Sequence, residues 1–242
     1  MAPRKPKIAA AELDDRREVG RLHELHPRQV FLAMSTAGLS PGRSGNVSAR
    51  HADGMLITPS GVAYDTLDPA DIVHVRADGR VDPGQLKPSS EWRFHLATYA
   101  ARPDACGIVH CHSLSATALA CTKKPIPAFH YMVAAAGGAD IPVVPYATFG
   151  TEELSRHVVA GLKDRNACLM ANHGQIAVAA SVGAALELAH EVEVLAEMYI
   201  KVLAIGAPHI LDAAEMARML TLFRSYGQRA QDGAKPEGKA KA

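Results

Sequence analysis

Short apolar segments typical of β-strands alternate along this chain with longer segments of helical spacing, and this order most restricts the folds it can adopt. Three strand patterns come first, separated by turns, and helices are interspersed among the later strands. The predicted strands are Val47–Ala49, Met55–Thr58, Ile72–Val75, Gly107–Cys111, Ile141–Val144, Cys168–Ala171 and Gln175–Ala179. The predicted helices are Val19–Ala37, Ser89–Ala101, Leu114–Cys121, Glu152–Lys163, Ser181–Leu203 and Asp212–Tyr226. The pattern predicts an α/β fold, a single αβα three-layer domain with a central mixed, mainly antiparallel sheet.

The composition is that of an ordinary globular protein with a sizeable core. The chain has 242 residues, 48% of them hydrophobic, and a formal net charge of +1. We expect one folded domain over residues 11–228, with flexible tails at 1–10 and 229–242. So small a net charge argues against nucleic acid or an acidic membrane as a partner.

Neither a membrane span nor a secretory leader is expected in this sequence. No run approaches the roughly 20 apolar residues that a spanning helix needs, and the start of the chain lacks a secretory apolar region. The four cysteines have no Cys-x-x-Cys spacing, which favours reduced thiols. We therefore expect a cytoplasmic protein.

Three histidines and a glutamate have the composition of a catalytic zinc site, in which imidazoles hold the ion and a carboxylate acts as a base. His110 and His112 lie two residues apart on a predicted strand, so they share one face and the cysteine between them points to the other. The predicted helix that begins at Ser89 is about 18 Å long, and the strand that follows it spans about 20 Å. If the helix and the strand run antiparallel, Glu91 at the start of the helix lies beside the histidines at the end of the strand. His173 follows in an Asn-His-Gly turn, where Gly174 permits an unusual backbone conformation.

Three turns of small residues have backbone donors suited to an anion, Gly45–Asn46, Ser60–Gly61 and Ser89–Ser90. The last opens a predicted helix, whose unpaired N–H groups and positive dipole end favour negative charge. Each turn alone is equally an ordinary turn or helix cap. Together they would suit a phosphate monoester held by neutral donors.

These residues belong to longer runs that resemble the class II aldolase/adducin family. The resemblance extends from about residue 20 to residue 228 and is carried by motifs in a fixed order. They are Ser-Gly-Asn-Val-Ser at 44–48, Ile-Thr-Pro-Ser-Gly at 57–61, Lys-Pro-Ser-Ser-Glu-Trp-Arg-Phe-His at 87–95, Val-His-Cys-His at 109–112, Phe-His-Tyr-Met at 129–132, Pro-Tyr-Ala-Thr-Phe-Gly at 145–150, Asn-His-Gly at 172–174 and Ser-Tyr-Gly at 225–227.

The resemblance implies a zinc-dependent aldolase with one ion per subunit and a small phosphorylated sugar as substrate. The reaction would cleave a ketose 1-phosphate reversibly to dihydroxyacetone phosphate and an aldehyde. L-fuculose 1-phosphate, or a 5-deoxy- or 5-methylthio-pentulose 1-phosphate in a salvage role, would be the substrate. The implied zinc ligands are His110, His112 and His173, a set that also accepts other divalent ions such as cobalt or manganese. Glu91 matches the catalytic acid/base, which in this family can also approach the metal.

The resemblance also implies roles for residues around the metal. The turns Gly45–Asn46, Ser60–Gly61 and Ser89–Ser90 match the phosphate-binding turns of the family. Tyr131 matches the tyrosine that protonates the aldehyde-derived oxygen, whereas Tyr226 and Phe149 match residues on the aldehyde side. Since the family forms homotetramers with the site at a subunit interface, the two tyrosines would serve either their own chain or a neighbour.

Two departures and three alternatives leave the substrate open. Family members that cleave L-fuculose 1-phosphate have a small hydroxyl residue in place of Arg43, beside the phosphate turn, and a bulkier residue in place of Asn172. Arg43 would add a charge-assisted contact or reshape the pocket. The alternatives within the family are a methylthioribulose-1-phosphate dehydratase, a pentulose-5-phosphate 4-epimerase, which has aspartate in place of Glu91, and a non-catalytic module like the adducin head.

Overall fold

A computed structural model describes residues 33–40, 44–63 and 66–223 of the chain. Within this part, seven strands form one sheet with helices packed against it. The strands are β1 (Asn46–His51), β2 (Gly54–Ile57), β3 (Val73–Arg76), β4 (Gly107–Cys111), β5 (Val143–Val144), β6 (Ala167–Met170) and β7 (Gly174–Ala179). The α-helices are α1 (Trp92–Ala101), α2 (Leu114–Cys121), α3 (Glu152–Gly161), α4 (Val182–Ile205) and α5 (Ala213–Phe223).

The sheet is mixed and mainly antiparallel, as the sequence predicts. Its strand order is β3-β2-β1-β4-β7-β6-β5. Every neighbouring pair runs antiparallel except β5 and β6, which are parallel. β4 therefore lies at the centre of the sheet, between β1 and β7, and it carries His110, with His112 directly after its last residue.

Alternation along the strands divides the apolar residues between two cores, one on each face of the sheet. On one face Ile108 packs with Phe94 of α1 and Val158 of α3. On the other face Val109 and Cys111 pack with residues of α2, α4 and α5. The three-layer αβα architecture is therefore confirmed. Cys111 is fully buried on the face away from the histidines, as alternation predicts.

The boundaries of most predicted elements agree with the structure to within a few residues. The largest difference near the site is the helix expected from Ser89, because α1 begins only at Trp92 and Glu91 is its N-cap. The sequence analysis also missed the 3-10 helix Tyr131–Ala136. Most of the predicted helix Val19–Ala37, both predicted tails and Tyr226 lie outside the described residues.

The helices of the described ranges were compared with the length and hydropathy that a membrane span needs. None of them combines the length and the apolar character needed to cross a membrane.

The packing of β4 against α4 generates a prediction about stability. A Cβ at Gly107 would lie 2.4 Å from the backbone of Ser181 and Val182, where α4 begins. We expect Gly107→Ala to lower the free energy of unfolding by about 1–3 kcal/mol, because the helix must move away from the sheet. Urea denaturation measures the change. Gly206→Ala is the matched control, since a Cβ there meets no atom within 4 Å, and equal stability of the two variants would contradict this account.

Candidate active site

Glu91, His110, His112 and His173 meet at one point, and we refer to these four side chains as the ligand cluster. Their ligand atoms all lie within 4.8 Å of one another. His110 Nε2 is 3.1 Å from His112 Nε2 and 3.1 Å from Glu91 Oε2. His173 Nε2 is 3.0 Å from Glu91 Oε1. The structure thus assembles the four residues that the sequence analysis singled out.

A strand pairing, a turn and the packing of a helix bring the cluster together. β4 presents His110 and continues directly into His112, and β7 pairs with it so that Cys111 lies opposite Gln175. The turn from β6 to β7 places His173 next to this pair. Antiparallel packing of α1 along the sheet brings its N-cap, Glu91, to the end of β4, as the matched lengths predict.

The backbone of the Asn-His-Gly turn differs from the expectation in one respect. The left-handed conformation belongs to Asn172, with φ of 55°, and Gly174 is not among the residues of positive φ. Gly174 is needed for a different reason, since a Cβ there would lie 2.5 Å from Cys111 O and 2.8 Å from His112 Cδ2. Close approach of the two strands, rather than an unusual turn, requires this glycine.

Protonation states in the cluster suit metal binding. Burial by itself would raise the pKa of Glu91, but the adjacent His110 and His173 imidazoles outweigh burial and hold that pKa well below its ordinary value. Burial, reinforced by His110 and His173, lowers the pKa of His112 to about 4. Near neutral pH, Glu91 is therefore a carboxylate and His112 a neutral imidazole, as metal ligands must be.

A hydrogen bond fixes which nitrogen of His110 faces the cluster. His110 Nδ1 lies 2.7 Å from the carbonyl oxygen of Gln175. Because a carbonyl only accepts, Nδ1 carries a proton, and in the neutral ring Nε2 has the lone pair that a metal ion would take. Metal-binding histidines commonly donate their other ring N–H to an oxygen in this way.

The geometry of the cluster fits a divalent metal ion. Nitrogen ligands of a tetrahedral zinc lie roughly 3.3 Å apart when each is about 2.0–2.1 Å from the ion, close to the 3.1 Å between His110 Nε2 and His112 Nε2. Glu91 Oε1 is buried and has no hydrogen-bond partner among the described residues. Three imidazole nitrogens and a carboxylate thus converge on one point, so these residues could hold a metal.

A cavity of about 390 Å³ opens beside the cluster. Turn residues and cluster residues form most of its wall, together with two aromatic side chains. The lining residues are Ser44, Gly45, Asn46, Pro59, Ser60, Gly61, Val62, Ser89, Ser90, Glu91, His112, Tyr146, Ala147, Phe149, Asn172 and His173. All three predicted anion turns therefore border the same space as the ligand cluster.

Backbone hydrogen bonds join two of the turns to each other. Ser60 N donates to Lys87 O at 2.9 Å, and Ser89 N donates to Thr58 O at 3.0 Å. Ser89 also accepts a hydrogen bond at its hydroxyl from Glu91 N, at 3.3 Å. The backbone N–H groups of Ser60 and Ser89 are therefore already paired within the protein. The exposed residues of these two turns are Ser60, Gly61 and Ser90.

The remaining predicted site residues have different placements. Phe149 lines the cavity and is 62% exposed, and Tyr146 beside it is 57% exposed. Tyr131 lies in its 3-10 helix, 48% exposed, and is not part of the cavity wall. Arg43 and Tyr226 lie outside the described residues.

Sequence reasoning missed three buried polar residues behind the cluster, namely Ser48, His95 and Tyr99. A signal for them was present. His95 and Tyr99 follow Glu91 at intervals of four, which places all three on one face of α1. Ser48 follows Asn46 by two, so both point to the same face of β1.

Comparison with known proteins agrees with this architecture. The sequence profile of the class II aldolase and adducin N-terminal domain matches residues 28–200. An L-fuculose phosphate aldolase of Escherichia coli O6:H1 is 52% identical over 209 residues, covering 85% of this chain and 97% of its own. A 5-methylthioribulose-1-phosphate/5-deoxyribulose-1-phosphate aldolase of Rhodospirillum rubrum is 53% identical over 198 residues, covering 82% and 89%.

A solved structure extends the likeness to three dimensions. An L-fuculose 1-phosphate aldolase superimposes with a TM-score of 0.79 at 35% identity, covering 90% of this chain and 98% of that protein. The helices and the mixed sheet that hold the ligand cluster thus match those of an enzyme with a solved fold. The chain belongs to the class II aldolase and adducin family, and it is an aldolase, an enzyme of the lyase class.

Proposed function

We propose that this enzyme is a zinc-dependent ketose-1-phosphate aldolase. It would cleave L-fuculose 1-phosphate or a 5-deoxy- or 5-methylthio-pentulose 1-phosphate reversibly to dihydroxyacetone phosphate and an aldehyde. The observation that carries the proposal is a carboxylate, Glu91, placed among three imidazoles at a cavity bordered by small neutral turns. One divalent ion per subunit is held by His110, His112 and His173.

Glu91 moves the proton at C3. A divalent ion, when bound, acts as a Lewis acid that stabilises negative charge on the substrate oxygens. In cleavage, the C3–C4 bond breaks, its electron pair stays with C3 and C4 becomes the aldehyde carbon as its hydroxyl loses a proton. Glu91, which the His110 and His173 imidazoles hold as a carboxylate at neutral pH, takes up a proton from solvent and delivers it to C3. In the synthetic direction it removes that proton from dihydroxyacetone phosphate and releases it to solvent.

The phosphate is assigned to the neutral turns. Gly45–Asn46, Ser60–Gly61 and Ser89–Ser90 border the cavity on the side of Glu91 and offer hydroxyl and backbone donors. Their chemistry suits a phosphate monoester in a protein of net charge +1. Arg43, two residues before Gly45, would add a charge-assisted contact to the same group.

Tyr131 is assigned to a neighbouring subunit. It would exchange the proton with the C4 oxygen, but it does not line the cavity of its own chain. Its exposed ring packs against His130 and Phe223 instead. A homotetramer with sites between subunits would bring Tyr131, with Tyr226, to the cavity of the next copy, and Phe149 of this chain would contact the aldehyde.

A cytoplasmic location and a role in salvage of five-carbon sugars complete the proposal. The complete ligand cluster argues against a non-catalytic module like the adducin head, and Glu91 argues against the pentulose-phosphate epimerases. No feature of the site favours dehydration over carbon–carbon cleavage.

Metal removal is the first test of the proposal. We expect dialysis against a chelator to lower the rate of ketose 1-phosphate cleavage by at least about 100-fold, because charge stabilisation at the substrate oxygens is lost. Dihydroxyacetone phosphate is measured by a coupled assay, and metal content by elemental analysis. One equivalent of zinc per subunit should restore the rate. Undiminished cleavage after verified metal loss would sink the proposal.

A second test addresses the acid/base. We expect Glu91→Gln to reduce the exchange of the C3 proton of dihydroxyacetone phosphate with solvent by about 10²- to 10⁴-fold, since an amide cannot accept that proton. Deuterium incorporation followed by NMR measures the rate. Glu197→Gln is the matched control, because that exposed carboxylate only pairs with Lys201. Zinc retention with near-normal exchange in the Glu91 variant would refute the assigned role.

Sharing of the site between subunits is testable with two inactive variants. Glu91→Gln and Tyr131→Phe are denatured together and refolded as mixed assemblies. If each site takes Glu91 from one chain and Tyr131 from another, random mixing makes about a quarter of the sites intact. Cleavage should then recover to about that fraction of the wild-type rate. If mixing restores no activity although hybrids form, both residues act within one subunit.

A further inference from the structure

Behind Glu91, buried side chains form a continuous hydrogen-bonded series that ends in the protein core. Asn46 Nδ2 lies 2.9 Å from Glu91 Oε2, and Asn46 Oδ1 lies 2.5 Å from His95 Nε2. On the other side of the ring, His95 Nδ1 lies 2.7 Å from Ser48 Oγ. Ser48 Oγ lies 2.9 Å from the hydroxyl of Tyr99.

The chemistry of the groups allows only one direction for this series. A carboxylate accepts, so Asn46 must donate through Nδ2 and turn its oxygen toward His95. That oxygen can only accept, so His95 carries its proton on Nε2 and accepts at Nδ1 from the Ser48 hydroxyl. Ser48 in turn accepts from the hydroxyl of Tyr99. Every donor from Tyr99 onward therefore points toward Glu91.

The series is buried, and it is neutral apart from its carboxylate end. The exposed fraction of the five residues ranges from 0% for His95 to 7% for Glu91. Burial, with a smaller effect of His110, lowers the pKa of His95 to about 3, and burial raises that of Tyr99 above its ordinary value. A polar series so deeply buried and so fully paired holds one arrangement, because any reversal would leave a donor or an acceptor unpaired.

We infer that His95, Ser48 and Tyr99 are positioning residues for Glu91 and act on it through Asn46. They keep the amide nitrogen of Asn46 against Glu91 Oε2, which fixes the carboxylate plane and leaves Oε1, which faces His173 Nε2 at 3.0 Å, to exchange a proton. This inference rests on the proposed function, since it concerns the residue that is assigned to move the C3 proton.

None of the three positioning residues touches the substrate space. Ser48, His95 and Tyr99 are absent from the cavity wall and from the ligand cluster. Their loss should therefore change how well Glu91 is oriented without changing the groups that bind substrate. The expected signature is a lower kcat and a slower C3 exchange at unchanged KM and unchanged metal content.

The central experiment compares two replacements of His95 in the zinc-loaded enzyme. We expect His95→Phe, which keeps the ring volume but has no N–H donor, to lower kcat and C3 exchange by about 10- to 100-fold. His95→Gln retains an N–H donor near the same position and should recover most of that loss. His209→Phe is a control at an exposed histidine and should match wild type. A kcat of His95→Phe within about 2-fold of wild type overturns the inference.

Smaller changes decide the question if His95→Phe fails to fold. Ser48→Ala and Tyr99→Phe each delete one hydroxyl, and we expect kcat to fall by about 2- to 10-fold in each, with KM unchanged. Tyr199→Phe, which removes a hydroxyl from another largely buried tyrosine, is the control and should not change kcat. Wild-type kcat in both Ser48→Ala and Tyr99→Phe, or a loss in which KM rises and kcat does not fall, overturns the inference.

Failure of the inference is distinguishable from failure of the proposed function. If wild-type enzyme itself shows no C3 exchange, the assignment of Glu91 is wrong and the inference falls with it. If wild-type enzyme exchanges normally and the His95, Ser48 and Tyr99 variants do as well, the proposed function stands and only the positioning residues are wrong.

Discussion

The site depends on β4 being hydrogen-bonded along both edges. Pairing with β1 sets Asn46 opposite His110, and pairing with β7 sets Cys111 opposite Gln175, whose carbonyl oxygen fixes the ring of His110. The central strand thus determines where His110 points, where the Gly45–Asn46 turn lies and where the Asn46 amide that donates to Glu91 lies. A slip of β4 by one residue would turn His110 to the opposite core, away from Asn46 and Glu91.

Much of the fold and of the metal site could be predicted because it follows from local periodicity. β4 and α2 agree with their predicted bounds, and alternation correctly placed His110 and Cys111 on opposite faces. The position of Glu91 beside the histidines could be predicted because the rise per residue is nearly constant in helices and in strands. A helix and a following antiparallel strand of equal length place the start of the helix beside the end of the strand. Periodicity does not indicate that His173 joins this cluster, and that prediction came from the family resemblance.

Other features could not be predicted because they depend on contacts between distant segments. Gly174 is explained by the approach of β4, and α1 begins at Trp92 because residues 89–91 are tied to neighbouring loops. The series from Tyr99 to Glu91 has a spacing signal, but that spacing equally fits an apolar helix face. Only the side-chain geometry shows polar groups paired in the core. Tyr131 marks a further limit, since one chain does not show what a second copy contributes.

The division of the cavity between buried and exposed residues explains why family membership does not fix the substrate. Glu91 and His110 are buried in the core and held by other buried groups, whereas Tyr146 and Phe149 are more than half exposed. In the proposed reaction, the reacting carbon C3 is common to all candidate substrates and meets buried Glu91. The aldehyde half, which differs among them, meets the exposed aromatic residues. Relatives named for fuculose phosphate and for methylthioribulose phosphate are accordingly about equally identical to this chain, at 52% and 53%.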